Sequence, residues 1–213
     1  MSKHGHTRRR LVQVSASGRA SATPDVVRLS LGIRSDGDDV SSALRDVGEK
    51  VTSIGEAVRG HGVESADIRS TGAGVHPRYD RDGQRVVGYQ AQHSLAVVVR
   101  ALDTVGAVVD SVAQAAGNSL SVDSIQLELS DSTRMEQEAR DNAFAHARSK
   151  GDLYARLSGG QLGEVLSVVE GGTGGGPAPV GRMAMMASSS PMPVEAGETT
   201  VTASVTVTWA LEN

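Results

Sequence analysis

Val27-Arg28-Leu29-Ser30-Leu31-Gly32-Ile33-Arg34 runs through the turn Asp36-Gly37-Asp38-Asp39 into a segment with Val40, Leu44, Val47, Val51, Ile54 and Val58. In the first run apolar residues alternate with polar or small ones. That is the period of a strand with one buried face. In the second run the apolar spacings are 4, 3, 4, 3 and 4, which is the stripe of an amphipathic helix. The acidic turn offers an N-cap, and Gly60 and Gly62 end the helix. A strand feeding such a helix must bury both apolar surfaces against each other, which is the unit of a helix-on-sheet layer.

Reading outward, Leu11 to Ala22 predicts a strand before the turn at Thr23-Pro24-Asp25, so the first two strands are expected to form a hairpin. Ile68 to Tyr79 and Arg85 to Arg100 read as a second hairpin around Asp80-Arg81-Asp82-Gly83. The run Leu95 to Val99 suits a strand covered on both faces. Asp103 is expected to cap a second helix through Val105, Val108, Val109 and Val112. A strand at Ile125–Leu129 follows, and Ser130 or Asp131 caps a third helix over Thr133–Leu157. The apolar face of that helix is Met135, Ala139, Ala143 and Ala147, small enough for close approach to a sheet. Leu162 to Val169 is a short strand. Val201, Ala203, Val205, Val207, Trp209 and Leu211 alternate with Thr202, Ser204, Thr206 and Thr208 in the last one. It is equally a central strand or an edge that another chain could pair with. The order is ββ-α-ββ-α-β-α-ββ, an α+β fold with helices packed on a mostly antiparallel or mixed sheet. The repeated hairpin–helix unit suggests either a weak internal duplication or two subdomains sharing a sheet. Residues 1–10 are expected to be a disordered basic tail, and residues 11–213 the domain, interrupted by an irregular Gly/Pro/Met-rich loop at 171–197.

The composition explains what fills such a core. The chain has 213 residues and a net charge of −4, with 28 Val and 25 Ala but one Phe, one Trp and three Tyr. Base stacking needs aromatic platforms and usually a basic surface, so nucleic acid is not an expected partner. No run approaches the roughly 20 apolar residues of a membrane span. With no Cys, disulfides, thiolate metal sites and thiol nucleophiles are out.

Candidate chemistry is sparse. Gly171-Gly172-Thr173-Gly174-Gly175-Gly176 resembles a phosphate cradle but leads into Pro177 rather than the Lys-Ser/Thr that opens a helix. Gly72-Ala73-Gly74 lacks the third glycine of a dinucleotide fingerprint. Asp36, Asp38 and Asp39, like Asp80 and Asp82, read as turn and cap residues rather than a calcium loop. No G-x-S-x-G elbow occurs. His76 and His93 fall on strands expected to pair, and with Tyr79 they form a weak candidate polar site. Met183, Met185, Met186 and Met192 cluster near Pro191 and Pro193. Thioethers there suit an adaptable apolar contact or an oxidation-sensitive role better than copper. No catalytic residue, cofactor or metal ligand is assigned.

The ordered motifs Val12-Gln13-Val14-Ser15-Ala16-Ser17-Gly18-Arg19-Ala20, Pro24-Asp25, Leu29-Ser30-Leu31-Gly32-Ile33 and Asp67-Ile68-Arg69-Ser70-Thr71-Gly72 resemble the SIMPL-domain family, domain of unknown function 541. Val87-Gly88-Tyr89-Gln90-Ala91, Arg140-Asp141-Asn142-Ala143, Ala147-Arg148-Ser149-Lys150, Leu162-Gly163-Glu164-Val165 and Pro193 to Glu198 extend the resemblance to the last strand. It implies an α+β fold and oligomeric assemblies. It also implies a kinship with periplasmic immunogenic proteins, proteins of oxidative-stress defence and a eukaryotic kinase-associated adaptor. It carries no catalytic residues.

The expectation is therefore a non-enzymatic, self-associating protein, a homo-oligomeric scaffold linked to stress tolerance. The alternative is a module that binds a protein or ligand through the Met/Pro-rich loop or an exposed sheet face. Lys3, Arg8, Arg9 and Arg10 resemble the start of an export signal, but Leu11 to Gly18 is too short and polar for its apolar part. A cytoplasmic location is expected, or a periplasmic or envelope one if the sequence is a mature form.

Overall fold

The computed structural model describes residues 10–171, 178–179 and 197–213. The tail expected at 1–10 lies outside the described residues except for Arg10. The loop expected at 171–197 lies outside them except for Gly171, Ala178, Pro179 and Gly197. The chain divides into two compact units. Among the described residues, one is continuous, from Pro24 to Ser130; the other joins the N-terminal strand to those after Ser130.

In the continuous unit, β2 (Val26–Gly37), β3 (Ile68–Tyr79), β4 (Val86–Val99) and β5 (Leu120–Glu128) form an antiparallel sheet in the order β3-β4-β2-β5. Helices α1 (Val40–Gly60) and α2 (Val105–Ala116) supply the rest of its core. Leu29, Leu31 and Ile33 are buried with Val47, Ile54 and Val58. Thus the alternation and the helical stripe face each other. The stripe is rotated at its start: Ala43 is buried, while Leu44 is 47 % exposed. Asp39 caps α1 through Oδ1, which accepts from Ser42 N–H at 2.9 Å. Asp103 does not cap α2. It lies in a 3-10 turn, Leu102–Thr104, and Thr104 precedes the helix without a side-chain cap bond. The hairpin at Asp80 forms as expected, with Gly83 at φ +70° and Asp80 Oδ1 accepting from Gln84 N–H at 2.9 Å.

The second unit contains β1 (Leu11–Ala22), α3 (Thr133–Leu157), β6 (Gln161–Glu170), the two-residue β7 (Ala178–Pro179) and β8 (Thr199–Glu212). Its sheet order is β1-β8-β6, with β7 also pairing β8, all antiparallel. The shared sheet expected of two subdomains is therefore not found: each unit has a sheet of its own, because β1 pairs within the second unit. The expected β1–β2 hairpin does not form. β1 pairs with β8 from Leu11↔Ala210 to Ala22↔Thr199, whereas β2 pairs with β4 and β5. The rule that neighbouring strands pair yields here to a unit boundary at Pro24. β8 is thereby central rather than an edge.

α3 buries Met135, Ala139, Ala143, Ala147, Gly151 and Ala155. This extends the expected small-residue face by two further turns. Asp131 Oδ1 accepts from Thr133 N–H at 2.8 Å at the helix start, while the N-cap is Ser132. The sheet answers with small residues of its own. A side chain on Gly18 would meet the backbone at Ala139 and Ala143. Trp209 is 2 % exposed, with its ring centroid 6.4 Å from that of Phe144.

Gly18→Val should lower stability by about 1–3 kcal/mol, the cost of overpacking a closed contact. A lower urea midpoint at unchanged slope would show it. Within the continuous unit, Asp25 joins both ends: its carboxylate accepts from Ser130 N–H at 2.7 Å and Ser130 Oγ–H at 2.6 Å. The Ser130 hydroxyl, then its N–H, hold the Asp25 pKa below the usual carboxylate value. A depressed carboxylate stabilises the fold above its unfolded pKa and loses that contribution as pH falls through its folded value. Asp25→Asn should therefore be less stable at neutral pH and lose less on acidification below about pH 4. Urea melts at stepped pH measure this directly.

Candidate functional site

The pairing of β3 with β4 brings His76 and His93 onto neighbouring strands, as expected, but not onto one face. His93 is opposite Ala73 and shares a face with Ala91 and Leu95, both buried. His76 is opposite Gln90, and its Nε2 lies 3.5 Å from the Gln92 amide nitrogen. Because β2–β4 pairing is regular from Tyr89 to Val99, alternation puts the two imidazoles on opposite sides of the sheet. Tyr79 is six positions along β3 from Ala73, so about 20 Å from His93 at roughly 3.3 Å per residue. The three side chains do not converge.

What His93 does meet is Ser70, whose Oγ lies 2.8 Å from His93 Nε2. This pairing was not legible in the sequence, because a bulge between Ser70 and Gly72 shifts the register. A hydroxyl–imidazole pair resembles the first half of an activated nucleophile. The second half is a group that orients the other ring nitrogen. No carboxylate partners His93 among the described residues, and His93 lines neither the cleft at Arg34 and Asp46 nor the one at Arg148 and Asp152.

The other described histidines serve packing: His61 Nε2 lies 2.6 Å from Ser111 Oγ, joining α1 to α2, and His146 Nδ1 lies 3.0 Å from Ser17 O. Asp36 is held by Arg78 at 2.6 Å and the Gln90 amide at 2.9 Å. Among the described residues, no group of three His, Asp or Glu could hold a metal ion. Met183, Met185, Met186 and Met192 lie outside the described residues.

Two of the solvent-open clefts lie elsewhere. One, of about 500 Å³, lies in the continuous unit and mixes Arg34 and Lys50 with Asp36 and Asp46. The other, of about 690 Å³, lies between α3 and the start of β6, where Arg148, Asp152 and Arg156 face Leu162. Beside it β6 departs from the alternation of its neighbours. Val165, Leu166, Val168 and Val169 are 46, 36, 54 and 58 % exposed. Leu153, Tyr154 and Leu157 at the end of α3 are also exposed. Among the described residues, the second unit thus offers apolar surface beside a polar cleft.

The SIMPL profile, described as a protein of unknown function (DUF541), matches residues 12–209. The chain belongs to the SIMPL family. It is 26 % identical to the 26 kDa periplasmic immunogenic protein of Brucella melitensis, over 94 % of this chain and 84 % of that protein. It is 28 % identical to the uncharacterized protein YggE of Escherichia coli K12, over 84 % of this chain and 73 % of that protein. The SIMPL match spans both compact units, since it runs from β1 to β8.

Since Ser70 lacks an oriented base, it should not behave as a nucleophile. A fluorophosphonate probe should leave the intact mass of the protein unchanged, and Ser70→Ala should cost about 1 kcal/mol for the lost hydrogen bond. A probe adduct mapped to Ser70 would contradict this.

Proposed function

We propose that this SIMPL protein is a non-enzymatic, self-associating scaffold that contributes to stress tolerance. The observation that carries the reading is the exposed apolar surface of the second unit, on β6 and on the last turns of α3. Monomeric proteins rarely leave contiguous apolar patches wet, and larger ones mark interaction sites. The lack of a converging catalytic set around His93 favours association over chemistry. The compartment named for the Brucella relatives favours the periplasmic or envelope alternative, and the cytoplasmic expectation draws no support from it.

Light scattering on the purified full chain tests the reading. The expected mass at micromolar concentration is a multiple of the 22.0 kDa protomer. A protomer-sized particle at all concentrations up to about 100 μM, which corresponds to roughly −5.5 kcal/mol, would sink the proposal. Survival of a deletion strain under peroxide, with and without the restored gene, tests the stress role separately.

A further inference from the structure

The edges of the two sheets differ in how they are guarded. Exposed edge strands are normally blunted by charge, proline or bulges, because unpaired backbone groups recruit other chains. β3 carries Pro77 with exposed Arg69 and Arg78, and a bulge after Ser70. β5 carries exposed Asp123 and a bulged register, and β1 points Gln13, Ser15, Ser17 and Arg19 outward. β6 is different. Between Glu164 and Glu170 it holds four apolar residues and Ser167, without Lys, Arg or Pro. Both of its bulges fall before Ser167, so Ser167 to Glu170 pair with β8 in regular register. Its outer edge pairs with no strand among the described residues.

Both faces of this edge are apolar. Val165 and Val168 stand in register with Trp209 and Val207, on the face that packs against α3. Val169 stands in register with Thr206, on the other face. An added strand would therefore bury apolar side chains above and below while satisfying the open backbone groups.

Resting on the self-association reading, we propose that β6 pairs antiparallel with β6 of a second copy of this chain, about a two-fold at Val168. Register selects the position. Ser167 to Glu170 is the stretch free of bulges, and a two-fold at Ser167 would run every pair except Ser167 on itself through the bulge between Val165 and Ser167. A two-fold at Val168 sets Val168 on itself and Ser167 opposite Val169, all within the regular stretch, so the edge meets its own copy with an apolar centre. Glu170, at the end of that stretch, has its carboxylate already held by Arg140 Nε at 2.8 Å. An axis perpendicular to the sheet keeps both α3 helices on the same side. The combined order is β1-β8-β6-β6-β8-β1, which removes the unguarded edge from each copy.

The test uses the full chain. Val168→Lys combined with Val169→Lys places two charges on side chains already more than half exposed. Its far-UV circular dichroism and melting profile should stay close to wild type. Sedimentation should show association weakened about tenfold or more. Ser17→Lys on β1 should associate as wild type does. Because the chain has no cysteine, Val168→Cys gives a direct readout: mild oxidation should yield a disulfide-linked dimer, and Ser17→Cys should not. A lysine variant that keeps the wild-type assembly, or equal cross-linking from both cysteines, overturns the β6 contact while self-association stands. A monomeric wild type overturns both.

Discussion

Pairing between the two ends of the chain holds the second unit together. Residues 11–22 lie against residues 199–210 along their whole length, so the ladder closes over nearly all of the intervening sequence. Such non-local pairing is entropically expensive to initiate, although the cost grows only slowly with loop length. What offsets it is the burial of Val12, Val14 and Ala16 with Val205, Val207 and Trp209. The segment Pro24–Ser130 can be spliced between β1 and α3 because it satisfies itself, with its own sheet, two helices and core. The Asp25–Ser130 hydrogen bonds tie its two ends together where they leave the ladder.

Given that ladder, the shortage of aromatic residues becomes a design with a consequence. A helix carrying Ala and Gly at successive turns can approach a sheet closely, and Gly18 lets the backbone of β1 do the same. Dense contact then replaces large side chains as the source of dispersion attraction. The cost is intolerance: interiors packed this closely have no room for an added methyl at such positions. Trp209 and Phe144 provide the single tilted aromatic contact among the described residues, in the same cluster as Ala143 and Ala147 of the stripe.

The local periodicities of this sequence carried far. Val27 to Ile33, the α1 stripe, the Ala face of α3 and the hydroxyl–apolar alternation of β8 all correspond to the observed elements. Periodicity says which face is buried but not which strand lies alongside. Hence the expected hairpin between β1 and β2 was wrong, and the choice between an edge and a central β8 stayed open until the ladder with β1 was seen. The candidate site shows the same limit. Pairing of His76 with His93 strands was legible from the Asp80–Gly83 turn, yet the side of the sheet depends on register. The Ser70–His93 contact depends on a bulge that no local pattern announces. The unguarded character of β6 was present in the sequence as Val165-Leu166 and Val168-Val169, two apolar pairs that break alternation. It acquires meaning only once β6 is known to be an edge.

These features bear on each other through β8. β6 is held in the sheet by β8, and β8 is held by β1. An apolar edge exposed during synthesis would be an aggregation hazard, since unpaired strands capture whatever backbone is near. Here β8 follows β6 in the chain, so the sheet that presents β6 cannot be complete until Thr199–Glu212 is available. Association through β6 would then report on finished protomers, with the closing of the end-to-end ladder as the step that makes the edge flat and pairable. With assembly through β6 as proposed, a fold whose distant strands β1 and β8 must meet before that edge exists sets an order of events, folding first and assembly second.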